Sequence, residues 1–456
     1  MTHAETLPDR PALLFRGGTV LTMEPGEGVR TATDVLLRDG RIEAVGSDLP
    51  AGGAEVIDAR RMVVMPGLVE THFHMWSTLG RNFISEGFEY FPAKLATSAH
   101  YEPIDFYRSD LLALVECASA GITTVHDWSH NTRSPAHADA ELRAHRDGLI
   151  RARYAYGHRD GLPTDEVLDF GDIDRVAAQW FGGEGVFGPG GASEGVVHLG
   201  VNLRGPALGS MASFDAEMVE ARRRGLPVAI HTYQNRDPLV DATLLEQRGY
   251  LGPDFLIAHF IGATQADREA MARTGTPLSY AVHSELRLAD AGDPRAALLR
   301  FLAAGVRVSF SIDASSLAPI DLFQAMDVAW NMGIPWEGTE TADLPALTFR
   351  RVLEMATIEG ARSLGLGEVT GSLRPGKRAD VIAVRLDDLN MAPAGDVEAA
   401  LVRCALPSNV DTVVVDGRVL KRGGELTAWD VDQVVRDAAT SATAVRSRAG
   451  GRLSPA

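Results

Sequence analysis

MVVMPGLVETHFH, residues 62–74, decides how the chain is read. Its apolar beginning reads as a buried strand, expected over residues 62–72. The stretch ends in His72 and His74, two of only 13 histidines in 456 residues. On a strand, residues i and i+2 share a face and sit about 6–7 Å apart. Two imidazoles so placed either converge on one metal ion or are unrelated. The choice rests on what the rest of the chain brings beside them.

On the N-terminal side lie short β-rich runs, LLFRGGTVLTM (13–23), TDVLLRDGRIEAVG (33–46) and AEVIDARRMVVMPG (54–67), with Gly and Asp-Gly turns. The same texture returns in GKRADVIAVRL (376–386) and NVDTVVVDGRVLKRGGEL (409–426). Each flank is too short to bury a core alone, so the two are expected to pair into one small sandwich. Between them, strands expected at 62–72, 121–127, 151–157, 196–203, 227–233, 255–261, 277–284 and 307–313 alternate with helical stretches. RSDLLALVECASAG (108–121) and DPRAALLRFLAAG (293–305) carry apolar residues at helical spacing and finish on Gly. Eight such units predict an α/β chain built on a (β/α)8 barrel, the TIM-barrel architecture. The expected division is a barrel over 66–368, with 1–65 and 369–456 forming the composite β-sandwich and a tail. Beyond residue 428 the tail has a helical pattern, then Gly, Arg and Ser residues expected to fray.

Barrels of this kind gather their chemistry at the C-terminal ends of the strands. There the chain places His231 in PVAIHTY, His259 in FLIAHFI, His283 in LSYAVHSE with Glu285 just beyond, and Asp313 in VRVSFSIDASS. A polar residue ending an apolar strand is costly unless paired or bound. Several strands doing so in register point to a shared metal site. Three neutral imidazoles and a carboxylate suit one borderline divalent cation with a position left open for water. Such an ion acidifies that water into a nucleophile near neutral pH. Zn²⁺ is the expected ion, and Fe²⁺, Co²⁺ or Mn²⁺ accept the same ligand types.

Composition narrows the partners. Formal charge is −17, and the 44 basic residues include three lysines, Lys94, Lys377 and Lys421. An acidic surface repels phosphate backbones and anionic lipids, so neither nucleic acid nor membrane is expected as a partner. Two cysteines, Cys117 and Cys404, form no Cys-x-x-Cys pattern, which speaks against a disulfide framework and a thiolate zinc knuckle. The N-terminus lacks a basic region followed by an apolar core, and no apolar run is long enough to cross a bilayer. A cytoplasmic protein acting on a small molecule is expected, as a homodimer, the commonest symmetric assembly.

With these residues in view, the chain resembles the amidohydrolase superfamily. MVVMPGLVETHFH is similar to its first-strand signature, and MATIEGARSLGLGEVTGSLRPGKRADVIAV (355–384) to its return into the composite sheet. HFHMWSTLGRN and HSELRL resemble loops of the branch holding chlorohydrolases, triazine hydrolases and S-adenosylhomocysteine or methylthioadenosine deaminases. The resemblance runs from about residue 13 to 425. It implies that His72, His74, His231 and Asp313 bind one metal and that Asp313 takes the proton of the attacking water. It further implies that His259 hydrogen-bonds the hydroxide or a substrate oxygen, and that His283 faces the substrate. Dinuclear members bridge their metals with a carboxylated lysine after strand 4. This chain has no lysine between Lys94 and Lys377, so a mononuclear site is expected.

One departure bears on the reaction. Deaminases of this branch carry His-x-x-Glu at strand 5, whereas this chain reads His231-Thr232-Tyr233-Gln234. A glutamine neither donates nor accepts the proton that ring deamination requires. Either Glu285 or Asp237 stands in, or the substrate needs less help. The second option favours hydrolysis of a non-peptide C–N or related C–S bond in an amide, urea or carbamate-like small molecule, as in phenylurea and thiocarbamate hydrolases. The alternative is an aminohydrolase or dechlorinase of a purine, pterin or triazine-type ring. Gln234, Trp76, Glu285 and His126 are the expected substrate contacts, with His130 beside them and the aromatic segment 74–91 as a lid over an apolar substrate. Arg204 is expected either to hold an anionic substrate or to pair with a surface carboxylate. Residues 182–195 are expected to form a flexible surface loop.

Overall fold

The opening stretch does not form one strand but two, in different sheets. In the computed structural model, which describes residues 7–83, 89–232, 241–288, 292–339 and 341–451, the chain changes sheets at Gly67. The strand expected over 62–72 divides there into Met62–Pro66 and Leu68–Phe73. The cause is steric and polar together. A Cβ at Gly67 would lie 2.0 Å from Thr123 Oγ1, so no larger residue fits. Its N–H donates to Asp380 O of one sheet at 3.1 Å, and the next N–H, of Leu68, donates to Gly121 O of the other at 3.0 Å.

Strands are numbered along the chain. β1 Leu13–Val20, β2 Arg30–Arg38, β3 Arg41–Gly46, β4 Glu55–Asp58 and β5 Met62–Pro66 come from the N-terminal flank. The barrel strands are β6 Leu68–Phe73, β7 Ile122–Ser129, β8 Arg151–Gly157, β9 Val197–Leu203, β10 Val228–His231, β11 Phe255–Ala258, β12 Leu278–Tyr280 and β13 Val308–Phe310. β14 Val381–Arg385, β15 Val410–Val415, β16 Arg418–Arg422 and β17 Glu425–Leu426 complete the other sheet. The barrel sheet is parallel and runs in sequence order from β6 to β13. Its seam is closed by backbone bonds just past the strand ends, Asp313 N to His72 O at 2.9 Å and His74 N to Asp313 O at 2.7 Å. The expected seventh strand, 277–284, is cut to three residues, because the chain turns into the helix Val282–Leu288 directly after Ala281.

The two chain ends form one nine-stranded mixed sheet, in the order β17-β16-β15-β14-β5-β1-β2-β3 with β4 on β1. Its central strands bury both faces, with period two. Val63, Met65, Ile382, Val384, Val413 and Val415 point into the barrel-side core. Val64, Val381, Ala383 and Val414 point into the sheet's own core with Leu13, Phe15 and Leu37. This explains why the runs read as continuous apolar stretches rather than alternating ones.

A buried ion network fastens the barrel to this sheet. Arg151 of β8 donates to both oxygens of Asp380, at 2.5 and 3.0 Å, and to Asp416 at 3.4 Å. Arg418 donates to Asp416 at 2.8 Å, and Arg10 and Arg378 also pair with it. The segment 182–195 is pinned rather than loose, for Gly195 O accepts from Arg151 at 2.6 Å, Ala192 O accepts from Arg418 at 3.0 Å, and Phe187 is buried. The C-terminal helix Val431–Arg448 docks on the barrel, with Val434 against Leu111 and Val115, and Ala438 and Val445 in one cluster with Trp76 and Phe106.

Candidate active site

The seam of the barrel is also where the ligand set assembles. His72 Nε2 lies 3.2 Å from His74 Nε2 and 3.0 Å from His231 Nε2. Asp313 Oδ1 lies 3.3 Å from His74 Nε2 and 3.7 Å from His72 Nε2. Asp313 adopts φ 68° and His259 φ 73°, left-handed conformations uncommon for such residues and typical of side chains aimed by backbone strain.

The protonation states follow from the surroundings. Burial, reinforced by neighbouring imidazoles, pushes His72 and His231 well below the usual histidine value and keeps them neutral. Burial pushes Asp313 up, but the hydrogen bond from His74 and the surrounding imidazoles outweigh it and hold the carboxyl below its usual range. Trp128 O lies 3.4 Å from His74 Nδ1, and a proton at that nitrogen leaves Nε2 with a free lone pair. Three imidazole nitrogens thus crowd together, with His72 Nε2 within hydrogen-bonding distance of both His74 Nε2 and His231 Nε2. A divalent cation satisfies that arrangement, and the donor set fits one.

His259 stands beside the cluster. Its ring stacks on His231 at 5.5 Å with planes 10° apart, and it forms a metal-competent group with His72 and Asp313. Its Nδ1 lies 2.8 Å from Glu285 Oε1. Burial works against protonation of His259, but the Glu285 charge and hydrogen bond, with the charge of Asp313, raise it above its usual value. Glu285 is fully buried and backs His259, which differs from the expected substrate contact.

The other expected residues are distributed as follows. His283 lies on the helix Val282–Leu288, half-buried and hydrogen-bonded to Gln324, and belongs to none of the metal-competent groups. His126 lies inside β7, buried, with Nε2 3.2 Å from Asn202 Oδ1. Trp76 is buried and donates from Nε1 to His130 Nδ1 at 3.2 Å, and the His130 ring is 4.4 Å from that of His74. A small pocket adjoins Trp76, lined also by Phe83, Tyr90, Lys94, Tyr101 and Ser316. It lies along the aromatic segment expected to act as a lid, part of which falls outside the described residues. Arg204 contacts backbone carbonyls. It donates to Leu162 O at 2.9 Å and Pro163 O at 2.8 Å, and also to Glu166 O, and so holds a loop. Tyr233, Gln234 and Asp237 lie outside the described residues.

Two contributors were missed in the sequence. Glu70 is wholly buried under the ligands, where Oε1 accepts from His72 N at 2.6 Å and Oε2 from Ile312 N at 2.7 Å. It clamps the first and last barrel strands together at the level of the site. Its signal was present, as a charged residue in the middle of an apolar strand. Trp128 packs on His72 and His231, with ring centroids at 4.6 and 4.0 Å, and could have been found as the lumen-facing residue two positions after His126.

Known proteins agree with this architecture. A profile described as the amidohydrolase family matches residues 63–420. The chain is 30% identical to a 5'-deoxyadenosine deaminase of Methanosarcina barkeri, over 96% of this chain and 99% of that one. It is 31% identical to a 5-methylthioadenosine/S-adenosylhomocysteine deaminase of Symbiobacterium thermophilum, over 90% and 93%. Among solved structures, an adenosine deaminase from Xanthomonas campestris with bound zinc superposes with a TM-score of 0.81 at 22% identity, covering 96% of this chain and all of that one. An atrazine chlorohydrolase from Arthrobacter aurescens, complexed with zinc, gives 0.77 at 22% identity, over 94% and 100%. The chain belongs to the amidohydrolase family and is a hydrolase of carbon–nitrogen bonds other than peptide bonds.

Proposed function

We propose that this chain is a mononuclear, zinc-dependent hydrolase that cleaves a C–N or related C–S bond in an amide, urea or carbamate-like small molecule. The clustering of His74 and His231 Nε2 around His72 Nε2, with Asp313 against His72 and His74, carries this reading. A Zn²⁺ ion bound there supplies Lewis acidity that makes water a nucleophile near neutral pH. His72, His74 and His231 would hold it through their imidazole nitrogens. Asp313, kept ionised, accepts the proton of the attacking water and returns it to the departing nitrogen or sulfur. His259, oriented by Glu285, donates a hydrogen bond to the oxygen that develops negative charge. The absence of lysine between Lys94 and Lys377 supports a single metal. In this reading His283 and Gln234 face the substrate. A cytoplasmic homodimer that binds no nucleic acid belongs to the same proposal; among the described residues no helix is long and apolar enough to cross a membrane.

A second reading, deamination of a purine nucleoside or related aminated ring, is favoured by the deaminase names of relatives that match nearly the whole chain. Gln234 weighs against it, because the proton-shuttling carboxylate of such deaminases is missing at that position. Turnover on matched panels of phenylureas, carbamates and aminated heterocycles separates the two. Release of amine from ureas or carbamates is expected. Ammonia release from adenosine-type substrates, with ureas and carbamates inert, would overturn the first reading in favour of the second.

A further inference from the structure

A second cluster of buried acids lies on the other side of the barrel wall. Strand β7 turns His126 and Trp128 inward, and Asp127 and Ser129 outward toward two helices. Asp110 reaches the same point from the helix Pro103–Ser119, and Glu141 from the helix Pro135–Gly148. The three carboxylates are wholly buried, and one oxygen from each lies within 4.8 Å of the others. Part of the group is satisfied. Glu141 Oε2 accepts from Ser129 Oγ at 2.6 Å and from Tyr154 OH at 2.9 Å, and Asp127 Oδ2 lies 2.8 Å from His145 Nε2. The rest is not. Among the described residues, no donor reaches either oxygen of Asp110, nor Asp127 Oδ1, nor Glu141 Oε1.

Asp110 decides the matter, because a buried carboxyl with both oxygens unpartnered is rare and needs an explanation. Besides its two oxygens, each of the other acids keeps one oxygen without a donor. Oxygens bound to one cation at about 2.0–2.6 Å stand roughly 3–5 Å apart, the spacing found here. The three candidate ligands all offer hard carboxylate oxygens, unlike the imidazole set in the lumen.

We propose that Asp110, Asp127 and Glu141 form a second, structural site for a hard divalent cation, Mn²⁺ or Mg²⁺, which ties two outer helices to the strand whose inner face carries Trp128. Because it shares no residue with the lumen set, the site can be tested with that set disabled. A His72→Ala/His231→Ala protein produced in Mn²⁺-supplemented medium should retain about one equivalent of Mn²⁺ per chain. Chelation should lower its melting temperature by about 3–6 °C. Adding Asp110→Asn or, separately, Glu141→Gln should abolish both the bound Mn²⁺ and the response to chelator. Two wild-type equivalents of metal, falling to one in Asp110→Asn, would support the same conclusion. The proposal is overturned if the His72→Ala/His231→Ala protein folds but holds less than about a tenth of an equivalent of Mn²⁺ and its melting temperature ignores chelator. That result would mean the acids share protons instead.

Discussion

Two buried polar clusters can be set side by side, the imidazoles at the barrel seam and the ion network between barrel and sheet. In the network each charge has its opposite within the chain. Arg151 fills both oxygens of Asp380, and Asp416 is surrounded by Arg10, Arg151, Arg378 and Arg418. In the lumen the acceptors face each other, with His72, His74 and His231 presenting nitrogen to nitrogen. A polar cluster that satisfies itself holds the molecule together, whereas one that cannot is waiting for something from outside. Burial alone does not separate the two, since both are deep.

The comparison can be broken most forcefully at Asp313. Asp313→Asn should lower kcat/KM by about 10²–10⁴-fold, as expected when a general base is lost, with little change in the unfolding midpoint. A fall in stability with activity intact would place this residue in the other class. Conversely, Arg151→Met strands the buried Asp380 carboxylate and should cost about 3–5 kcal/mol in denaturant unfolding. Bound metal per folded chain should stay constant.

Glu285→Gln probes the boundary between the classes. It keeps the shape but removes the charge that holds His259, and should cost about 10–100-fold in kcat/KM while leaving metal content unchanged. The smallest effect is expected at Glu217, which burial raises to about 7 from 4.5 although it accepts from Leu168 N at 3.0 Å. The unfolded chain loses that proton near 4.5, so the native state gives up stability as pH rises from there through about 7. Glu217→Gln should remove about 1 kcal/mol of that pH dependence, seen as melting curves that converge at pH 5 and separate at pH 8.

The site was legible where a polar residue interrupts an apolar strand. His231 and His259 announced themselves in this way, and so did Asp313, even though β13 ends three residues before it. The sheet change at Gly67 was hidden because both faces of β5 and all of β6 are buried, so hydrophobicity continues across the break. The short β12 was misjudged for a similar reason, since Leu278–Val282 is buried throughout and only the backbone decides where the helix starts. Arg204 was misread because its partners are carbonyl oxygens, which any sequence supplies. Glu70 could have been read, as its charge inside a strand had no other explanation than backbone donors nearby.

Gly67 has a consequence for how the molecule tolerates change. With a single residue between β5 and the strand that carries His72, the outer sheet acts as an anchor at the head of a short tether. Removing the outer sheet should therefore slacken the strand that carries His72, and an isolated barrel fragment starting at residue 68 should lose its histidine alignment before it loses its helices.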